Sequence, residues 1–231
     1  MKNDTLLAFR EVSMRFDRGD GRATRILEQA SLELPAGSSV ALVGPSGSGK
    51  STLLHLAAGI LTPTSGQVFL AGQEISGLSE VERTILRREN LGLVFQFFHL
   101  LPHLSVAENI ALPAWVASVP MNRVEERLDH LLERVGLADR RDDAVGKLSG
   151  GEMQRIAICR ALLLKPRVVL ADEPTGSLDE KTGRAIMDLL LELVADEAGS
   201  LLYVTHDNHL AARAGSIWNL HEGRVSAEAR A

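Results

Sequence analysis

The chain has 231 residues, of which 45% are hydrophobic, and its formal net charge is −5. This length and apolar content suit one α/β domain with a substantial core, and the acidic balance argues against a nucleic-acid-binding surface, which is usually basic. Cys159 is the only cysteine, so an internal disulfide is excluded and a reducing compartment is the simplest interpretation. No secretory signal pattern is found, and the longest uncharged apolar run, Ile110 to Met121, is well short of the ~20 residues that cross a bilayer. We therefore expect a cytoplasmic chain that does not span a membrane.

The N-terminal part of the chain predicts mainly strands. Thr5 to Phe16 is apolar and β-rich, and Ser31 to Leu34 alternates, which favours an antiparallel hairpin with a polar loop at Arg18 to Thr24. Val40 to Val43 is a continuous apolar run and predicts a buried strand. Further strands are predicted at 67–70 and 91–95, with a short capped helix at 79–88 between them.

The segment after the buried strand fits the phosphate-binding pattern G-x-x-x-x-G-K-[ST]. Its glycines let backbone N–H groups turn inward, and the helix that follows adds the positive end of its dipole, so the loop favours phosphate. Lys50 supplies a mobile positive charge for the β- and γ-phosphates of a nucleotide, and the Ser51 hydroxyl is the expected Mg²⁺ ligand. The alternative, a Gly/Ser-rich turn before an ordinary helix, is disfavoured by the strand and helix on either side. The predicted nucleotide-binding residues are Gly44, Pro45, Ser46, Gly47, Ser48, Gly49, Lys50, Ser51 and Thr52.

From Phe97 to about Lys165 the strand pattern gives way to helical periodicity. This change predicts a helical insertion, with helices at 105–111, 122–135 and 149–164. Pro113 and Pro120 break the apolar run that begins in the first of these helices. The S-x-x-E pattern of a capping box recurs at Ser79/Glu82, Ser105/Glu108, Ser149/Glu152 and Ser177/Glu180.

Buried-strand character returns in the last third of the chain. Apolar runs at 168–171 and 201–205 flank a helix at 180–196, and this spacing predicts parallel strands with a right-handed crossover. The tail after Gly223 is expected to be frayed.

Leu148 to Glu152 opens the third helix of the insertion with an unusual first turn. The Ser149/Glu152 capping box alone accounts for a helix start, but it does not require Gly150 and Gly151, and glycine in a helix costs about 1 kcal/mol relative to alanine. Paired glycines let a ligand approach the N–H groups closely. We therefore interpret this helix start as a second anion-binding site.

Six motifs in register resemble those of the nucleotide-binding subunits of ATP-binding cassette (ABC) transporters, and the resemblance extends over essentially the whole chain. They are Gly44 to Thr52, Gln96, Leu148 to Glu152, Val168 to Glu173, Ser177-Leu178-Asp179 and His206. The resemblance implies a P-loop NTPase (RecA-like) α/β core with a parallel sheet, an N-terminal antiparallel β subdomain and an inserted helical subdomain. Residues 1–231 would form one ABC ATPase domain, with 1–96 and 165–231 as the catalytic core and 97–164 as the helical subdomain that carries the signature motif.

In that family two copies dimerise head to tail around two ATP, and the signature helix of one copy completes the ATP site of the other. The resemblance therefore implies that Ser149, Gly150 and Gly151 contact the γ-phosphate in trans, with Glu152 beside them where many members have glutamine. Such a role would explain glycines for which a monomer has little use.

Asp172 and Glu173 follow four apolar residues, which places both carboxylates at the C-terminal end of a buried strand, where α/β sheets bind ligands. The resemblance implies that Asp172 holds Mg²⁺ through water and that Glu173 is the general base for the attacking water. It also implies that Gln96 reaches Mg²⁺ or water and that His206 hydrogen-bonds the γ-phosphate. The alternative is that each is a solvated polar residue at a strand end. The predicted metal ligands are thus Ser51, Gln96 and Asp172, and the predicted catalytic residues are Lys50, Gln96, Glu173 and His206.

Two further residues enter the predicted nucleotide site through the resemblance. Asp179 matches the aspartate that communicates across the dimer. Phe16 stands where the family has an aromatic residue that stacks on adenine, although it could equally be a core residue.

Phe97 to Leu104 is unusually apolar for a segment that directly follows a residue expected to sense the γ-phosphate. By resemblance it would receive the cytoplasmic coupling helix of a membrane-spanning subunit, and the alternative is the core of the helical subdomain. The chain would then lie on the inner face of the cell membrane as a peripheral ATPase.

Its motifs look most like those of the lipoprotein-release, macrolide-export and cell-division branch, which implies work on an envelope substrate. The ATPase of an importer and an ABC ATPase acting on nucleic acid or ribosomes are the alternatives, although no nucleic-acid partner is expected.

Overall fold

The computed structural model describes residues 5–17 and 23–229, so the loop predicted at Arg18 to Thr24 lies largely outside the described residues. The strands are β1 (Thr5–Asp17), β2 (Ala23–Pro35), β3 (Ser39–Val43), β4 (Ser65–Leu70), β5 (Gln73–Glu74), β6 (Leu91–Phe95), β7 (Val168–Asp172), β8 (Ser200–Val204), β9 (Ser216–His221) and β10 (Arg224–Ala229). The helices are α1 (Lys50–Ala57), α2 (Glu80–Asn90), α3 (Val106–Val116), α4 (Glu125–Arg134), α5 (Gly150–Leu162), α6 (Glu180–Asp196) and α7 (Asn208–Ala211).

The described strands form two sheets. The first is antiparallel, with the strand order β2-β1-β4-β5, and contains the predicted N-terminal hairpin. The second has the order β10-β9-β3-β8-β7-β6, in which every neighbouring pair from β9 to β6 is parallel. The fold is therefore the predicted P-loop α/β arrangement, with a separate antiparallel sheet beside the parallel one.

Alternation along the central strands sends side chains into two cores. Val169 and Ala171 of β7 face a cluster built largely from α3, α4, α5 and α6, whereas Val168 and Leu170 face a cluster formed by α1 and the antiparallel sheet. Because both faces of these strands are covered, their sequences are continuous apolar runs, as is usual for parallel sheets. Because β3, β8, β7 and β6 are parallel, their C-terminal ends lie at one edge of the sheet.

The last two strands correct the sequence analysis, which expected a frayed tail after Gly223 and did not predict β9. Arg224 pairs with His221, so Glu222 and Gly223 form a two-residue hairpin loop. Their φ angles are 48° and 78°, the left-handed values that a tight hairpin turn requires and that glycine adopts readily. Residues 224–229 are not frayed, because β10 completes this hairpin against β9.

The helical segment between β6 and β7 contains α3, α4 and α5 with short 3-10 turns between them, as predicted. The expected break at Pro113 does not occur. Helix α3 continues to Val116, and the Pro113 carbonyl accepts a hydrogen bond from the Ala117 N–H at 2.9 Å. Burial of Ile110 and Ala114 on the inner face of α3 holds the helix together despite the missing proline N–H. No helix among the described residues is long and apolar enough to cross a membrane.

Three of the four predicted capping boxes form, at Ser79/Glu82, Ser105/Glu108 and Ser149/Glu152. The fourth does not. Asp179, rather than Ser177, caps α6 and accepts a hydrogen bond from the Thr182 N–H at 3.0 Å. The Ser177 hydroxyl donates instead to the carbonyl oxygen of Gln96 at 2.9 Å.

Candidate nucleotide-binding site

A cavity of about 520 Å³ opens at the sheet edge where β3, β7 and β8 end. The phosphate loop supplies one wall of the cavity. Glu173 and His206, two predicted site residues that lie far from the loop in sequence, supply the other wall. The parallel topology explains this meeting, since the loops after β7 and β8 must emerge at the same edge as the loop after β3. The lining residues are Ile26, Gly44, Ser46, Gly47, Gly49, Lys50, Ser51, Thr52, Glu173 and His206.

The phosphate loop wraps around Lys50, whose side chain is buried at its base. The Nζ atom donates to the carbonyl oxygens of Gly44 and Pro45, both at 2.9 Å. Gly49 adopts a φ of 104° before α1 begins, and a Cβ atom there would lie 2.6 Å from Cγ2 of Ile26. The Ser48 hydroxyl oxygen is buried and has no hydrogen-bond partner among the described residues. A phosphate oxygen in the loop would satisfy that donor.

A second, smaller cavity of about 220 Å³ adjoins the loop on the β6 side. It brings together the three predicted metal ligands, Ser51, Gln96 and Asp172, with Glu173. Hydroxyl, amide and carboxylate oxygens are the ligands that Mg²⁺ prefers in proteins, so this donor set fits that ion. Phe95, Phe97 and His99 complete the lining.

Glu173 and His206 are in direct contact. The Glu173 Oε2 atom lies 3.2 Å from Nδ1 of His206, and the Glu173 side chain is the more buried of the two. Glu173 has a φ of 44°, an uncommon left-handed conformation for a residue other than glycine. Its N–H donates to the Val204 carbonyl at 3.2 Å, and its carbonyl accepts from the Gly176 N–H at 3.0 Å. Such strain persists only where the surroundings hold it, and it clusters at active sites.

The signature helix α5 begins with the predicted cap. The Glu152 carboxylate of this cap accepts one hydrogen bond from the Ser149 N–H at 2.8 Å and one from the Ser149 hydroxyl at 2.6 Å. These hydrogen bonds hold the pKa of Glu152 below its ordinary value. The Glu152 carboxylate is therefore ionised and engaged with the helix cap.

The expectation that a monomer has little use for the signature glycines is wrong for Gly151. A Cβ atom on Gly151 would lie 2.8 Å from Cγ2 of Thr182 at the start of α6, which is closer than real Cβ atoms approach a neighbour. A Cβ atom on Gly150 would lie 3.2 Å from Cδ2 of Leu178. Close packing of α5 against the start of α6 therefore requires at least Gly151 within one chain.

The remaining predicted residues lie at different distances from the cavity. Asp179 caps α6, its pKa is lowered by the hydrogen bonds from Thr182, and it lines a cleft of about 210 Å³ together with Glu173 and His206. Phe16 is 41% exposed and does not line the nucleotide cavity, where Ile26 of β2 lies instead. No pattern in the sequence marked Ile26.

The sequence analysis also missed Gln154 and Arg160 on α5. Gln154 is fully buried, and a glutamine on the inner face of an apolar helix was a signal that could have identified it. The Arg160 guanidinium donates to the carbonyl oxygens of Phe98 and His99, each at 2.7 Å. Burial lowers the pKa of Arg160.

The apolar segment Phe97 to Leu104 lies partly outside the core, against which Leu100 packs. Phe97 is 67% exposed and Leu101 is 37% exposed, while Phe98 and Leu100 are half-buried. The loop is held from inside by Asn109, which is fully buried and exchanges hydrogen bonds with the backbone of Leu101 at 2.7 and 3.1 Å. The loop held by Asn109 therefore presents Phe97 and Leu101 outward.

Comparisons with known proteins agree on the family. Residues 27–176 match the family described as ABC transporter. The lipoprotein-releasing system ATP-binding protein LolD of Paramagnetospirillum magneticum is 51% identical over 198 residues, which cover 86% of this chain and 88% of that protein. The protein of the same name from Pseudomonas fluorescens is 44% identical over 227 residues, covering 98% of this chain and 100% of that protein. The dimeric structure of the ATP-binding cassette MJ0796, in a post-hydrolysis state bound to ADP and Pi, has a TM-score of 0.87 and 34% identity, and covers 98% of this chain and 100% of that one.

The fold and the cavity define a P-loop NTPase whose nucleotide site lies at the C-terminal edge of its parallel sheet. Within that class the chain belongs to the ABC transporter family, as the nucleotide-binding, ATP-hydrolysing subunit of such a transporter.

Proposed function

We propose that the chain hydrolyses ATP as a head-to-tail homodimer and that hydrolysis drives a membrane transporter that releases lipoproteins. The ATPase part of the proposal rests on one observation. Lys50, Glu173 and His206 line the same cavity. The 51% identity to a LolD protein supports the lipoprotein part, because the match extends over most of both chains.

The chemistry of one site follows from the geometry around Glu173. Lys50 and the N–H groups at the start of α1 offset the charge of the β- and γ-phosphates. Glu173 accepts the proton of the attacking water, and its strained backbone fixes the direction of the carboxylate. His206, in contact with Glu173 through Nδ1, orients that carboxylate, and its other ring nitrogen would hydrogen-bond the γ-phosphate.

Mg²⁺ fits the oxygen donors of Ser51, Gln96 and Asp172, which share the smaller cavity. When bound, the ion would neutralise phosphate charge that develops during transfer. Within the chain, the carbonyl of Gln96 is held by the Ser177 hydroxyl, so the position of the Gln96 backbone depends on the segment that follows Glu173.

The partner subunit completes each site through its own signature helix. Ser149, Gly150 and Gly151 lie at the N-terminus of α5, where the first N–H groups of the helix and the helix dipole favour an anion. In a head-to-tail dimer they would contact the γ-phosphate bound by the other copy, with Asp179 near the dimer axis. Phe16 stays a proposed adenine contact by resemblance, although Ile26 and not Phe16 lines the cavity.

The exposed segment Phe97 to Leu104 is the proposed docking surface for the membrane-spanning subunit. It begins one residue after Gln96, so movement of the membrane subunit would reach the metal ligands directly. In this proposal the chain lies on the cytoplasmic face of the membrane as a peripheral subunit.

The test is reconstitution of the chain with its membrane subunits in vesicles that carry a triacylated lipoprotein. We expect ATP to release the lipoprotein from the vesicles. In the Leu101→Ser variant the amount released should fall at least about 10-fold, while the basal ATPase rate stays within about 2-fold of wild type. Leu101→Met, which keeps an apolar side chain of similar volume, is the matched control. ATP hydrolysis without any lipoprotein release would contradict the assigned substrate, and full release by Leu101→Ser would contradict the docking surface.

A further inference from the structure

Gln154 is a fully buried amide on the inner face of the signature helix α5. Its Nε2 atom donates to two backbone carbonyls from different parts of the chain, to Pro174 at 2.5 Å and to Phe95 at 3.3 Å. The opposite orientation of the amide would bring its oxygen against two carbonyl oxygens, so the orientation is fixed by chemistry. One side chain therefore ties the ends of β6 and β7 to α5.

The two carbonyls are the immediate neighbours of two predicted catalytic residues. Phe95 precedes Gln96, and Pro174 follows Glu173. Glu173 has the strained φ of 44°, and Pro174 has no N–H with which to anchor the turn that follows it. The hydrogen bond from Gln154 to the Pro174 carbonyl therefore restrains the turn that directs the Glu173 carboxylate.

Only the Nε2 end of the Gln154 amide is hydrogen-bonded among the described residues. Its Oε1 atom is buried and has no hydrogen-bond partner there. A buried acceptor without a partner is unfavourable, but an apolar side chain that removed it would also leave the Phe95 and Pro174 carbonyls without this donor. What the apolar side chain lacks is the donor shared by the two carbonyls.

We propose that Gln154 is a positioning residue that holds Gln96 and Glu173 in register with each other and with the signature helix. The proposal rests on the ATPase function proposed above. Gln154 lies four residues after Gly150 on the same helix, so a displacement of the signature helix by the partner subunit is transmitted to the turn that carries Glu173. The site of one copy then responds to how its own signature helix is engaged by the other copy.

The test compares Gln154→Met with wild type in steady-state ATP hydrolysis and in equilibrium binding of an ATP analogue. Methionine keeps the length and fills the space but donates no hydrogen bond. Because a misplacement of about 1 Å at a reacting group can cost about 100-fold in rate, we expect kcat to fall between about 10- and 100-fold. KM and the dissociation constant of the analogue should change by less than about 3-fold, because Lys50 and the phosphate loop are untouched.

Arg155→Met is the control on the same helix, because Arg155 donates to the Val135 carbonyl at 3.2 Å and not to the turns that carry Gln96 and Glu173. Its kcat should stay within about 2-fold of wild type.

Thermal unfolding of every variant is recorded, and Gln154→Asn serves as a second variant that keeps the amide on a shorter side chain. A wild-type kcat in folded Gln154→Met overturns the proposal, as does a parallel loss of fold and nucleotide binding in both Gln154 variants. Absence of ATP hydrolysis in the wild type would instead refute the proposed function.

Discussion

Replacing Gly151 by alanine separates the packing role of this glycine from its proposed role at the partner's phosphate. The added Cβ atom would lie 2.8 Å from Cγ2 of Thr182, which requires α5 or the start of α6 to move. Overpacking of this kind costs about 1–3 kcal/mol, and the better helix propensity of alanine returns up to about 1 kcal/mol. We expect a net loss of about 1 kcal/mol, which for a chain of this size lowers Tm by about 2–4 °C.

The double variant Gly151→Ala/Thr182→Ser removes the clashing methyl group and keeps the hydroxyl that interacts with Asp179. It should recover the wild-type Tm in a thermal melt, because the cause of the strain is gone. Its ATPase activity should recover together with Tm, since the added Cβ atom points at residue 182 of the same chain and leaves the helix N-terminus open to the partner's phosphate. ATPase activity that stays at least about 10-fold below wild type after Tm has recovered would refute this geometry, and a raised Tm in Gly151→Ala alone would refute the packing argument.

Two other predictions follow from the site and the core. Glu173→Gln should bind ATP with wild-type affinity in equilibrium titrations and lose nearly all turnover, because an amide cannot accept the water proton; hydrolysis at the wild-type rate would remove Glu173 as the general base. Burial raises the pKa of Cys159 to about 12 from an ordinary value of 9.0, so the folded chain should resist a disulfide reagent at pH 8 and lose stability as the pH rises from about 9 towards 12. Rapid thiol labelling under native conditions, or a free energy of unfolding that is flat in this pH range, would contradict that burial.

Much of the fold could be predicted because the central strands are buried on both faces. The runs at 40–43, 168–171 and 201–205 are continuously apolar, and helices between them dictate parallel pairing. Strands β9 and β10 were missed because their alternating pattern has only one well-buried face, in which Trp218 and Leu220 point inward. The Glu222-Gly223 turn between them was the signal that alternating strands continue there.

The site could be predicted as far as its residues follow strand ends. Gln96, Asp172, Glu173 and His206 each lie at the end of a parallel strand, so topology alone brings them towards the phosphate loop. Contacts that depend on how helices pack were beyond a reading of the sequence. Neither the approach of Thr182 to Gly151 nor the link from Gln154 to Pro174 has a local pattern, because each joins segments about 20 or more residues apart.

The same limit explains the one error among the predicted capping boxes. The S-x-x-E pattern at Ser177 is a local signal, and it was overridden because the Ser177 hydroxyl reaches Gln96, 81 residues away in sequence. Asp179, two residues later, then caps α6. Tertiary contacts at the site therefore decide which of two competent capping residues is used.

The central claim is that each ATP site contains a phosphate loop from one copy and a signature helix from the other. Mixing two inactive variants tests it most directly, with Lys50→Met to disable the loop and Gly150→Asp to place a negative charge at the signature helix. After exchange of subunits, half of the dimers should be mixed and each should have one intact site, so activity should return to about a quarter of wild type. No activity above the sum of the separate variants would contradict the composite site and the head-to-tail dimer with it.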